Sequence, residues 1–147
     1  MISFGSVSDV KNMQFDEVWY IVRSLKINLK ESNAHWVPEL SPSKELFYKY
    51  LDASKAGVYD AKWFSENYVP QFLHEMRNND SMHKLNELYK LGKSKNILCV
   101  CFCGDENLCH RSIISGLLQG AYDTMGDVAF VESSIDRSFY YEMYKNA

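Results

Sequence analysis

The sequence predicts an α/β fold: a single Rossmann-like domain with a mostly parallel central sheet of about four strands, flanked by helices. Three observations carry this expectation. Val18-Trp19-Tyr20-Ile21-Val22 and the run from Asn96 to Cys103 are short and almost uninterruptedly apolar, which is how strands covered on both faces read. Other segments place apolar residues at helical spacing: Leu46, Phe47, Tyr50 and Leu51; Leu85, Leu88 and Leu91; Ile113, Ile114, Leu117 and Leu118. Strands alternating with helices are the pattern of crossover connections in a parallel sheet.

Taken in order, Ile2 to Phe4 reads as a first strand closed by Gly5-Ser6. The segment 7–15 is ambiguous, with Ser8 a candidate cap for a short helix through Met13. The strand Val18–Val22 delivers Arg23 and Ser24 at its carboxyl end. From Ser24 to Leu40 there is no helical period, although Leu25, Ile27 and Leu29 alternate with polar residues as an edge strand would. So long a connection suggests a flap; it carries His35 and Trp36, and a tryptophan there could stack on a planar ring. The plainer alternative is that Trp36 pins its loop to the core. Ser41 followed by Pro42 marks a helix start, and Gly57 its end. Asp60 caps a further helix with Trp63, Phe64 and Tyr68 inward, until Pro70 kinks or restarts it. Ser81 caps a helix through Leu91, and Gly92 stops it. Near the carboxyl terminus, Asp127 to Val131 is expected as the fourth strand. A terminal helix bearing Phe139, Tyr140, Met143 and Tyr144 is expected to pack on the sheet, with a homodimer surface as the alternative.

The chemistry concentrates between Cys101 and Arg111. The Asn96 strand ends at Gly104, a polar loop follows, and Cys109-His110-Arg111 opens the next helix. In open α/β sheets, ligands sit at such carboxyl-edge junctions. A helix start offers unpaired N–H groups and about half a positive charge, so it favours anions and thiolates. If the Val18 and Asn96 strands are parallel, Arg23 and Arg111 reach the same edge. Two guanidinium groups there call for an anionic guest. The expected ligand is therefore small, anionic and nucleotide-like, held by Arg23, Ser24, Arg111 and the backbone near Gly104, with His35 and Trp36 over it. Cys109 and His110 are the candidates for chemistry if the ligand is transformed. The plainer alternatives are a buried Cys109, Arg111 paired with Asp105 or Glu106, and Arg23 paired with Asp16, Glu17 or Glu31.

These segments also resemble a known family. Cys101 followed after seven residues by Cys109-His110-Arg111, the start Ile2-Ser3-Phe4-Gly5-Ser6, the strand Val18 to Ser24 ending in an arginine, and Glu39 to Tyr50 are together similar to family 488 of the domains of unknown function. Glu39 to Tyr50 resembles the form of compact phage and bacterial members. The resemblance implies a Rossmann-like α/β domain with Arg23, His110 and Arg111 near one site. Cys103 and Val22 stand where many members carry acids, so no carboxylate chemistry carries over to those positions. A small phage-like protein that sequesters or senses a nucleotide, countering host signalling, fits this reading; an enzyme acting on a nucleotide or nucleic-acid component is the alternative.

Several classes are disfavoured. The net charge of −3 argues against a broad nucleic-acid-coating surface. Lys90, Lys93 and Lys95 precede the Asn96 strand, about 25 Å from the site that follows it. No stretch reaches the roughly 20 apolar residues of a membrane span and no signal-peptide pattern opens the chain, so a cytoplasmic location is expected. All four cysteines fall between Cys99 and Cys109, unlike a disulfide framework. A phosphatase-type thiol needs cysteine six residues before its arginine, and Asp105 occupies that position before Arg111. Dinucleotide and P-loop glycine patterns are absent. Zinc at Cys101, Cys103, Cys109 and His110 is the sharpest rival, set below a metal-free reading because neighbours on a helix diverge by about 100° and no Cys-x-x-Cys pair is present.

Overall fold

A computed structural model describes residues 1–12, 14–103, 105–124 and 135–146. Four strands, β1 (Ile2–Ser6), β2 (Glu17–Tyr20), β3 (Ala34–Trp36) and β4 (Ile97–Cys101), form one sheet in the order β1-β4-β2-β3. Every pairing is parallel, with Ile97 of β4 opposite both Ile2 and Glu17, and Val18 opposite Ala34. The carboxyl ends of all four strands therefore share one edge. In β4 all five residues are buried, the outcome expected for a central parallel strand covered on both faces.

The helices are α1 (Lys44–Lys55), α2 (Ala61–Trp63), α3 (Val69–Glu75), α4 (Asn79–Leu91), α5 (His110–Thr124) and α6 (Phe139–Asn146). Phe72, Leu73 and Met76 from α3 and its end, Leu88 from α4, and Ile113, Ile114, Leu117 and Leu118 from α5 join β2 and β4 in one core. Between α2 and α3 the chain winds as a π-helical turn, Phe64–Tyr68, in which the Val69 N–H reaches back to the Phe64 carbonyl. Pro70 lies directly after it, where its missing N–H would have interrupted a regular helix.

Several boundaries differ from the sequence expectation. The edge strand is Ala34–Trp36, while Leu25 to Leu29 form no strand; Val18 N–H bonds the Asn33 carbonyl and Val37 N–H the Tyr20 carbonyl, and those ladder bonds decide the pairing. Helix α1 is capped by Ser43, whose hydroxyl accepts from Leu46 N–H, so Pro42 precedes the cap. Ser41 instead donates its hydroxyl to the Pro38 carbonyl at 2.6 Å. Likewise Asn78 caps α4 through Ser81 N–H, and the Ser81 hydroxyl donates to the Glu39 carbonyl. Asp60 caps α2 as expected, accepting from Trp63 N–H. The strand expected at Asp127 to Val131 lies outside the described residues. Among the described residues no helix is long and apolar enough to cross a membrane.

Helix α6 rests on α5 across two glycines. A Cβ at Gly116 would collide with the Arg137 carbonyl and the Tyr140 ring, and one at Gly120 with the Tyr141 side chain. Gly116→Ala is accordingly expected to cost about 1–3 kcal/mol in urea denaturation, the usual range for overpacking.

Candidate functional site at the carboxyl edge of the sheet

Beyond the last paired residue of β2 the chain stays extended and buried through Ile21 and Val22, then turns outward at Arg23. At the end of β4 Cys101 is buried, and beyond it Phe102 is exposed and Cys103 half-buried. A short 3-10 turn, Glu106–Leu108, leads to Cys109 and α5. Because β2 and β4 are parallel neighbours, these two exits lie side by side. Between them and α1 is a cavity of about 310 Å³.

Cys101, Cys103, Cys109 and His110 form one side of this cavity, and Phe47, Tyr50, Tyr59 and Tyr68 form much of the rest. The aromatic rings brace one another. Tyr50 meets Tyr59 edge-on at 4.7 Å, and Tyr68 stacks on Phe72 with centroids 6.0 Å apart and planes 17° apart. Tyr59 donates its hydroxyl to the Leu108 carbonyl, tying the loop after α1 to the turn before Cys109. Burial pushes the Tyr59 and Tyr68 phenols up, so both stay protonated as donors.

Arg23 and Ser24 line the cavity too. The Arg23 Nε donates to the Pro42 carbonyl at 2.8 Å, and Nη2 to those of Pro38 at 3.1 Å and Ser41 at 3.4 Å. These carbonyls supply hydrogen bonds but no countercharge. Arg23 is the one permanently charged side chain among the described lining residues. None of the expected carboxylates takes it; Glu17 pairs with Lys95 at 2.8 Å instead.

Arg111 sits at the same edge but does not line the cavity. It is buried, and its Nε and Nη1 have no hydrogen-bond partner. Pairing with Asp105 or Glu106 is therefore not how it is accommodated. Its charge opposes the upward push on the Cys103 thiol.

His110 is fixed inside the fold. Nε2 lies 2.7 Å from the Ile21 carbonyl, and a carbonyl only accepts, so Nε2 carries the proton. Nδ1 is then the lone-pair nitrogen, 3.5 Å from Cys109 Sγ. Phe72 backs the ring at 5.7 Å. Burial pulls the His110 pKa down, keeping the ring neutral.

The expectation of an ionised Cys109 is corrected. Its thiol is buried, 3.2 Å from Cys101 Sγ, and burial together with its cysteine neighbours pushes it up. S–H donation from Cys103 and Cys109 draws Cys101 down instead, while Cys103 is pushed up chiefly by Cys101, with Arg111 opposing. The thiols thus behave as one cluster. The spacing argument against a metal fails as well: Cys109 precedes the helix in extended conformation, φ −140° and ψ 150°, so its side chain and that of His110 are not separated by a helical step. The four side chains do supply ligand atoms close enough together to hold a metal.

Other expected site residues fall elsewhere. His35 contacts Glu17 at 3.5 Å from strand β3, and Trp36 is half-exposed with its indole N–H bonded to the Val22 carbonyl at 2.9 Å. Neither lines the cavity; Trp36 pins its strand, as the plainer alternative had it. Gly104 lies outside the described residues. Sequence reasoning missed Tyr59 as a wall of the site. An aromatic residue between the helix-ending Gly57 and the capping Asp60 was the available signal.

A parallel α/β sheet whose carboxyl edge carries a cysteine–histidine cluster beneath an aromatic cavity defines the class. The family model described as the active DUF488-N3 subclade matches residues 9–122, and the chain belongs to the DUF488 family. No curated protein and no solved structure matches the chain.

Proposed function

We propose that the protein binds a small anionic, nucleotide-like ligand in the carboxyl-edge cavity. One observation carries the reading: the described lining combines a single permanent charge, the Arg23 guanidinium, with the rings of Phe47, Tyr50, Tyr59 and Tyr68. A mostly apolar pocket with few placed polar groups is the usual make-up of a small-molecule site, and the carboxyl edge is its usual place in this kind of sheet. Three of the five guanidinium donors are engaged by carbonyls, which leaves Nη1 for an anion. The rings offer faces and edges to a base.

The ligand is held rather than transformed. Cys109 is buried, and burial together with its cysteine neighbours pushes its thiol up, which disfavours it as a nucleophile, and Nε2 of His110 is committed to the Ile21 carbonyl. Sequestering or sensing a nucleotide in the cytoplasm, as a compact phage-type protein would, is the role this supports.

Calorimetric titration with nucleoside monophosphates, the matching nucleosides and inorganic phosphate tests it. The monophosphates are expected to bind at least about tenfold tighter than the nucleosides, the worth of one hydrogen bond to a charged group, and to be recovered unchanged. Equal affinity for nucleoside and nucleotide would remove the role of Arg23. Consumption of the nucleotide would favour an enzyme.

A further inference from the structure

We propose that Cys101, Cys103, Cys109 and His110 form a closed Cys₃His site for a zinc ion that joins the end of β4 to the start of α5. Their ligand atoms all lie within 4.8 Å of one another. Ideal tetrahedral zinc, with Zn–S about 2.3 Å and Zn–N about 2.0–2.1 Å, sets S···S near 3.8 Å and S···N near 3.6 Å. Cys109 Sγ and His110 Nδ1 stand 3.5 Å apart, already at that spacing. Cys101 and Cys109, at 3.2 Å, need to open by about half an ångström, a rotamer adjustment.

Two further observations point to a cation. The His110 tautomer is set by the Ile21 carbonyl, which presents Nδ1 as a lone pair toward the three sulfurs. Metal-ligating histidines are oriented in this way, by donating their second N–H to a carbonyl or carboxylate. Arg111 is the second. Its Nε and Nη1 are buried without acceptors, a costly condition for a charged group, and its charge is felt at Cys103. Zinc with three thiolates and a neutral imidazole carries a net charge of −1. The buried Arg111 guanidinium, whose charge acts on Cys103, offsets it. Binding exchanges the ion's water ligands for three Zn–S bonds and one Zn–N bond, and releases those waters and the remaining thiol protons to solvent. A tetrahedral S₃N set favours zinc over the harder divalent ions. The plainer alternative, three small buried thiols packed together, explains neither the tautomer nor the orphaned arginine.

The metal structures the floor of the cavity but does not depend on the cavity's guest. Metal content and nucleotide binding therefore fail separately, and a metal-free protein that still binds nucleotide would count against this site alone. The test is elemental analysis of protein produced with added zinc and purified without chelator, together with cobalt substitution. Close to one zinc per chain is expected, with visible absorption from thiolate-bound tetrahedral cobalt. Cys103→Ser, at the half-buried and most tolerant ligand, should lose most of the metal. Cys99→Ala, outside the cluster, should keep it. A wild-type protein that takes up neither zinc nor cobalt overturns the proposal, as does equal metal loss in the Cys99 and Cys103 variants, or a mass showing Cys101 and Cys109 oxidised to a disulfide. The cobalt spectrum of the wild type decides the matter even where a variant fails to fold.

Discussion

Alanine at Phe72 is expected to lower the unfolding free energy by about 3–5 kcal/mol, the range for emptying a buried aromatic position. The ring is wholly buried, stacks on Tyr68 and backs His110. It therefore supports one wall of the cavity and the cluster beside it. Its loss leaves the His110 ring without backing, so nucleotide affinity should fall together with stability. Leucine, which refills most of the volume, should recover most of both. Urea denaturation beside calorimetric titration reads the two effects. Alanine tolerated at less than about 1 kcal/mol would mean that the site relaxes into the space, and that the stacked column is not what holds it.

Methionine in place of Arg23 is expected to do two separable things. The carbonyls of Pro38, Ser41 and Pro42 lose their shared donor, for a destabilisation of about 1.5–3 kcal/mol, moderated because the position is only half-buried and water can replace part of it. Nucleotide affinity should drop at least about tenfold, while affinity for the matching nucleoside changes little. Lysine separates the roles. It restores charge without the planar fork, so it should regain part of the nucleotide preference and little of the stability. A methionine variant that keeps full preference for the monophosphate would show that the anion is bound elsewhere.

The parallel sheet was legible because Val18 to Val22 and Ile97 to Cys101 are central, and a strand covered on both faces declares itself through an unbroken apolar run. Edge strand β3 was not. Its Ala34-His35-Trp36 is half-exposed to exposed, and backbone bonds to β2 select it, while the alternation at Leu25, Ile27 and Leu29 was a competing local signal that no ladder supported. Ser41 and Ser81 have the sequence signature of caps, because serine ahead of a helical pattern usually is one. Tertiary acceptors, the carbonyls of Pro38 and Glu39, claimed their hydroxyls, and Ser43 and Asn78 took the caps.

The site divided in the same way. Arg23 and the Cys109-His110-Arg111 turn were placed at one edge from strand direction alone, and the geometry brings Arg23, Cys109 and His110 to one cavity. What the sequence could not carry was orientation. Arg111 is buried away from the cavity lining, Trp36 anchors to Val22, and His35 faces Glu17, because side-chain direction depends on neighbours supplied by distant segments. Metal ligation is hidden in the sequence for the same reason: the apolar spacing gives no sign that Cys109 is extended rather than helical, and one residue of extended backbone there changes which side chains meet.

Native mass spectrometry of the purified protein tests the central claim, an anionic ring compound held by Arg23 at the carboxyl edge, most directly. Expected is a non-covalent adduct of a phosphate-bearing ligand, distinct in mass from any bound metal, released intact on denaturation and missing from the Arg23→Met protein. A wild-type spectrum that shows no such adduct, and that stays unchanged when mononucleotides are added in excess, would contradict it.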